Sequence, residues 1–97
     1  SGLALFIIKS MKVAIWDTYV QKKDGSVMHF DIIVPHFVTD ELVIIDKGKL
    51  YLSKKGQEGQ PLTPKECHYC HMGIATDVMK SAINAQGYYI LELENCS

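Results

Sequence analysis

Arginine is absent from this chain: all ten basic residues among its 97 are lysine. Arginine's planar fork is the usual means of gripping phosphates and base edges at two points, and lysine replaces it only as a point charge. Eleven acidic residues are scattered among the lysines, the net charge is −1, and no basic stripe or arm forms. Neither nucleic acid nor an anionic membrane is expected as a partner. Long apolar runs are missing as well. The longest near the start, Leu3 to Ile8, falls far short of the roughly 20 residues that a bilayer span needs. No basic segment precedes it and no small-residue cleavage site follows, so it does not read as a signal peptide. Cysteine is sparse. Three residues make an odd count with no secretory signal, which argues against a disulfide framework and points to reduced thiols in the cytoplasm.

What is there is ordinary globular material, 47% apolar and 22% charged, enough for one domain with a modest core. Ser1-Gly2 lacks an initiator methionine, whereas Met11-Lys12-Val13 reads as a natural start. The expected organisation is a leader over residues 1–10, extending the first strand or packing on the body, and a single α+β domain over 11–97.

Met11 to Val20 alternates β-branched and aromatic residues as a strand does, and Val27 to Val34 is a second strand ended by Pro35. Two hairpin registers compete. A two-residue Asp24-Gly25 loop is the commonest local solution. A three-residue loop with left-handed Gly25 instead sets Ala14, Trp16, Thr18 and Val20 opposite Val34, Ile32, Phe30 and Met28. That register gives one unbroken apolar face, and a one-residue slip destroys it, so the three-residue loop is expected. The opposite face then pairs Asp17 with Asp31 and Tyr19 with His29, a polar cluster.

Thr39 is the expected cap of a helix beginning at Asp40-Glu41 and ending at Lys54-Lys55-Gly56. Its interior pattern is poor, and a hairpin around Asp46-Lys47-Gly48 competes with it. Thr63-Pro64-Lys65-Glu66 carries a capping box with proline at the first helical position, and Leu62 and Cys67 stand where a hydrophobic staple requires apolar residues. A short helix from Pro64 is predicted. Asp77 to Gln86 reads as an amphipathic helix stopped by Gly87, and Tyr88 to Glu94 as a final strand. The expected fold is an α+β two-layer sandwich: the hairpin and C-terminal strand form a largely antiparallel sheet, covered on one face by two or three helices.

The most suggestive motif is Cys67-His68-Tyr69-Cys70-His71. On a helix from Pro64, Cys67, Cys70 and His71 lie at i, i+3 and i+4 and share a face. Thiolate and imidazole suit Zn²⁺, so the expected metal ligands are Cys67, Cys70, His71 and Cys96, with His29, His36 or His68 as substitutes for the last. Only one ligand pair has regular spacing, which makes this half of a strong signal. The same Cys-x-x-Cys also suits thiol redox chemistry, although a polar loop rather than a strand precedes it. Attachment of c-type haem has neither an export signal nor a clear axial partner to support it. The preferred reading of the motif is packing without a metal, with Cys67 as a buried staple residue.

The cluster of Asp17, His29, Asp31 and Tyr19 suits acid–base or metal chemistry if it lines a cleft. Against that, antiparallel sheets tolerate solvated carboxylates on an exposed face, and this plainer reading is preferred. No nucleophile elbow or phosphate loop occurs, and no catalytic constellation is identified. A third possibility is an interaction subunit whose incompletely covered sheet pairs with a second copy as a homodimer.

Met11–Val20, Met28-His29-Phe30-Asp31-Ile32 and Gly56–Thr63, followed by Glu66-Cys67, Cys70-His71 and Gly87-Tyr88-Tyr89-Ile90, form an ordered set. In that order they resemble a small bacterial family, the domain of unknown function numbered two thousand and twenty-four. The resemblance runs from Met11 to Cys96. It implies a compact single-domain α+β protein, a helix rather than a hairpin over 40–55, and a natural start at Met11. It brings no activity, cofactor or substrate. Val43-Ile44-Ile45 departs from the more polar sequence usual there.

Overall fold

Strand β1, Lys12–Gln21, and strand β2, Val27–Pro35, pair as an antiparallel hairpin in the computed structural model, which describes residues 10–97. The register is the three-residue-loop one: Ala14 faces Val34, Trp16 faces Ile32, Thr18 faces Phe30 and Val20 faces Met28. Lys22 closes the loop by donating its N–H to Ser26 O at 2.7 Å, and Gly25 sits at φ +92°, a conformation costly for any side chain. Burial decides this register. All eight of those facing residues are buried, most of them wholly, and a slip would turn them outward.

Helix α1, Glu41–Lys54, covers this face. Its N-cap is Asp40, one residue later than expected, with the carboxylate accepting the Leu42 N–H at 2.9 Å. Asp40 reaches the exposed amide two residues on, and its charge complements the helix start. Gly56, at φ +72°, stops the helix, and the Gln57 N–H closes back on Leu52 O at 2.8 Å. The weak amphipathic pattern has a physical cause. Ile44, Ile45, Gly48, Tyr51 and Leu52 face inward, and Gly48 is the point of closest approach to Leu62 and Ile32.

The segment after Leu62 departs from expectation. The capping box forms, with Glu66 accepting from the Thr63 N–H and hydroxyl at 2.7 Å each, and Leu62 and Cys67 are both buried. No helix follows. After a single turn the chain becomes strand β3, Cys67–Ile74, which pairs antiparallel with the outer edge of β1. Among residues 67–74 only Met72 is a strong helix former; cysteine, histidine, tyrosine, glycine and isoleucine fill the rest. Pairing with β1 satisfies a ladder of backbone groups, beginning with the Tyr19 N–H on Glu66 O at 2.9 Å. One cap cannot outweigh that.

Helix α2, Asp77–Gln86, matches its expected bounds, with Thr76 as N-cap and left-handed Gly87 as stop. Strand β4, Tyr89–Glu94, then pairs antiparallel with β2. The sheet order is β3-β1-β2-β4, and the fold is α+β as the sequence implied. The helices do not share a face, however: α1 packs on Ala14, Trp16, Phe30 and Ile32, whereas α2 packs on Val13 and Ile33 of the opposite face. Among the described residues no helix is long and apolar enough to cross a membrane. Residues 1–9 of the expected leader lie outside the described residues.

Candidate metal centre

Helix α2 covers only one end of its face. Val13 and Ile33 are buried beneath it, with Ile15, Tyr89 and Leu91 partly so. Further along the same strands the residues turn polar and, among the described residues, no helix lies over them: Asp17 opposite Asp31, and Tyr19 opposite His29. Asp17, His29 and Asp31 each present a ligand atom, all within 4.8 Å of one another. His29 Nε2 lies 2.5 Å from Asp17 Oδ1, and its side chain is only 17% exposed. The Tyr19 ring stacks on the imidazole at 4.0 Å and 10°, limiting its rotation. Glu94 Oε1 stands 3.8 Å from the other ring nitrogen, Nδ1. The solvated face preferred on sequence is thus only half solvated: all three ligand residues are intermediate in burial.

Two carboxylates facing one another across strands repel unless a proton or cation lies between them. Burial pushes the Asp31 carboxyl above its ordinary range; hydrogen bonding to Asp17 and the Asp17 charge push it further, opposed by His29 and His71. The Tyr19 phenol is also raised, by burial first and then by the charges of Asp17, Glu94, Asp31 and Cys70. Such a cluster accommodates positive charge better than it tolerates its own negative charge.

The cysteine–histidine motif is divided between environments. Cys67 is buried on the α1 side, where the Thr18 hydroxyl donates to its sulfur at 3.4 Å. Burial raises its thiol pKa, which the Thr18 bond only partly offsets. Cys70 is exposed. Three residues apart along a strand, Cys67 and Cys70 are separated by roughly 9–10 Å of backbone, beyond the reach of a disulfide without backbone movement. Cys96 is buried just beyond the end of β4 and donates to His29 O at 3.3 Å, and three strand spacings, roughly 14 Å, separate β4 from β3, which carries Cys67. The expected ligand set Cys67, Cys70, His71 and Cys96 is therefore not assembled, and the Cys67–Cys70 redox pair is not either. Both expectations rested on a helix that the β1 edge displaced.

A β-bulge in β3 redirects the rest of the motif. Register shifts between Ile15 and Trp16, so Tyr69 pairs with Trp16 and His71 with Ile15, leaving Cys70 as the inserted residue. His68 pairs with Asp17. Bulges increase local twist and re-aim side chains, and they recur beside functional sites. Here the bulge puts His71 on the polar face. Sequence reasoning found Asp17, His29, Asp31 and Tyr19 through the hairpin register, but it assigned His71 to the wrong surface. A cavity of about 740 Å³ between Met11, Pro35, Phe37 and Ile83 lies at the other end of the sheet and contains none of these groups.

The family model described as a domain of unknown function (DUF2024) matches residues 11–93. Among solved structures, the NMR structure of protein NE1680 from Nitrosomonas europaea is similar at 41% identity and a TM-score of 0.78. The match covers 90% of this chain and all of that one. No curated protein matches the chain.

Proposed function

The chain belongs to the DUF2024 family, a domain of unknown function, and we propose that it is a divalent-metal-binding domain using Asp17, His29 and Asp31. The observation that carries this reading is the convergence of one imidazole nitrogen and two carboxylate oxygens on a space less than 5 Å across, on a sheet face left open by α2. Ligand atoms around one tetrahedral ion lie roughly 3.4 Å apart, so small side-chain rotations suffice to enclose it. The ion would replace the contact between His29 and Asp17 and cancel the charge of the two carboxylates. A mixed nitrogen–oxygen set favours zinc and its first-row neighbours over Mg²⁺ or Ca²⁺, which prefer oxygen alone. Zinc is the first candidate.

Calorimetric titration of Zn²⁺ into the metal-stripped protein, together with thermal melts, tests this. Saturable 1:1 binding is expected, with the fold stabilised by about 2.7 kcal/mol at a hundredfold excess over Kd. His29→Ala and Asp31→Asn should each abolish the gain. Absence of both heat and thermal shift with millimolar Zn²⁺, Mn²⁺ and Co²⁺ would overturn the reading.

A further inference from the structure

The inserted residue in β3 has a directional effect. Cys67 and Tyr69 point to the α1 side, paired with Thr18 and Trp16. Unbroken alternation would send His71 the same way, since successive odd-numbered residues share a face. The bulge at Cys70 reverses this, and His71 pairs instead with Ile15, on the face that carries Asp17 and Asp31. Cys70 Sγ lies 3.2 Å from His71 Nδ1. With Nδ1 held by sulfur, Nε2 is the ring nitrogen left free for a ligand. A metal-binding histidine commonly has its second ring nitrogen tied in this manner, which fixes tautomer and orientation.

We propose that His71 is the fourth ligand of the ion held by Asp17, His29 and Asp31, and that Cys70 is the group that positions it. This rests on the metal-binding reading above. The completed set, two carboxylates and two imidazoles, is neutral with a divalent ion and gives four-coordination. The competing imidazole is His68, in register with Asp17 but without the sulfur contact that orients His71. Only sequence adjacency links Cys70 and His71, and the bulge turns that adjacency into a built pair.

Cobalt titration of the full chain, followed by visible absorption, tests the assignment. Both side chains are exposed, so their variants should fold, with metal-free melts as the control. His71→Ala should weaken Co²⁺ binding roughly 100-fold or more and reduce the intense tetrahedral band; Cys70→Ala should lose roughly 10–100-fold, and His68→Ala little. Wild-type affinity and spectrum in His71→Ala, with binding abolished in His29→Ala, would overturn this inference while leaving the three-residue site intact. A sulfur-to-cobalt charge-transfer band removed by Cys70→Ser would overturn it too, by making Cys70 the ligand. Loss in His68→Ala but not His71→Ala would overturn it in favour of the competing imidazole. Failure of the wild type to bind Co²⁺ would remove the metal-binding reading as well.

Discussion

The two faces of the sheet are built to opposite rules. On the α1 side the hairpin contributes eight buried residues, and Thr18, the one polar member, satisfies its hydroxyl on Trp16 O and the Cys67 sulfur. On the α2 side apolar cover stops partway, and two carboxylates, an imidazole and a phenol follow on the same strands. The first face maximises apolar burial, at roughly 1.5–3 kcal/mol for each large side chain removed from water. The second accepts like charges at close quarters, a cost typically below 1 kcal/mol per cross-strand pair. One closed face carries the apolar burial while half of the other stays polar.

The sharpest way to break this contrast is to empty the closed face. Phe30 is fully buried and packs on Tyr51 at 4.7 Å between ring centroids. Phe30→Ala should cost about 3–5 kcal/mol, a large share of the stability of a domain this size, measured by urea unfolding. A loss below about 1 kcal/mol would mean that α1 does not carry the core.

The two cysteines of the motif give a finer contrast on a single strand. Cys67→Ala removes a buried sulfur and should cost about 1–2 kcal/mol, whereas Cys70→Ser should stay within about 0.5 kcal/mol in the metal-free protein. Alkylation gives the same contrast as a rate: Cys70 should react in the native state and Cys67 only on unfolding, because its thiol is sealed in and its pKa raised by burial. Equal costs, or equal rates, would return the motif to a common environment.

That division also marks where the sequence was legible and where it was not. The hairpin register could be read because seven apolar residues and Thr18 had to share one face, and the polar pairs Asp17–Asp31 and Tyr19–His29 followed from the same geometry. Helix α2 was legible from its amphipathic spacing and the Gly87 stop. β3 was not, because Thr63 and Glu66 are a genuine local signal whose hydrogen bonds form. They end one turn, and the free edge of β1 takes the chain from there. The poor helix propensity of 67–74 was the available warning. The bulge at Cys70 has no sequence signature, since it is fixed by how β3 fits β1 over both faces at once, and with it went the surface assigned to His71.

The smallest effect is the most discriminating between the faces. Asp31 ionises reluctantly in the fold, so the folded protein holds its proton more tightly than the unfolded chain does. Below the ordinary carboxylate range both states are protonated; as pH rises through that range and on through the raised folded value, the unfolded chain releases its proton first. Stability contributed by the protonated Asp31 is therefore lost across that window, and above it the repulsion with Asp17 remains. Asp31→Asn removes the repulsion permanently. In metal-free protein at neutral pH it should raise stability by about 0.5 kcal/mol, roughly 2–4 °C in Tm, with the gain shrinking toward zero in acid. The same substitution should abolish the stabilisation by Zn²⁺. A variant less stable than the wild type at neutral pH without metal would mean that the two carboxylates support the fold, as the residues of the α1 face do, and are not held there against their mutual repulsion.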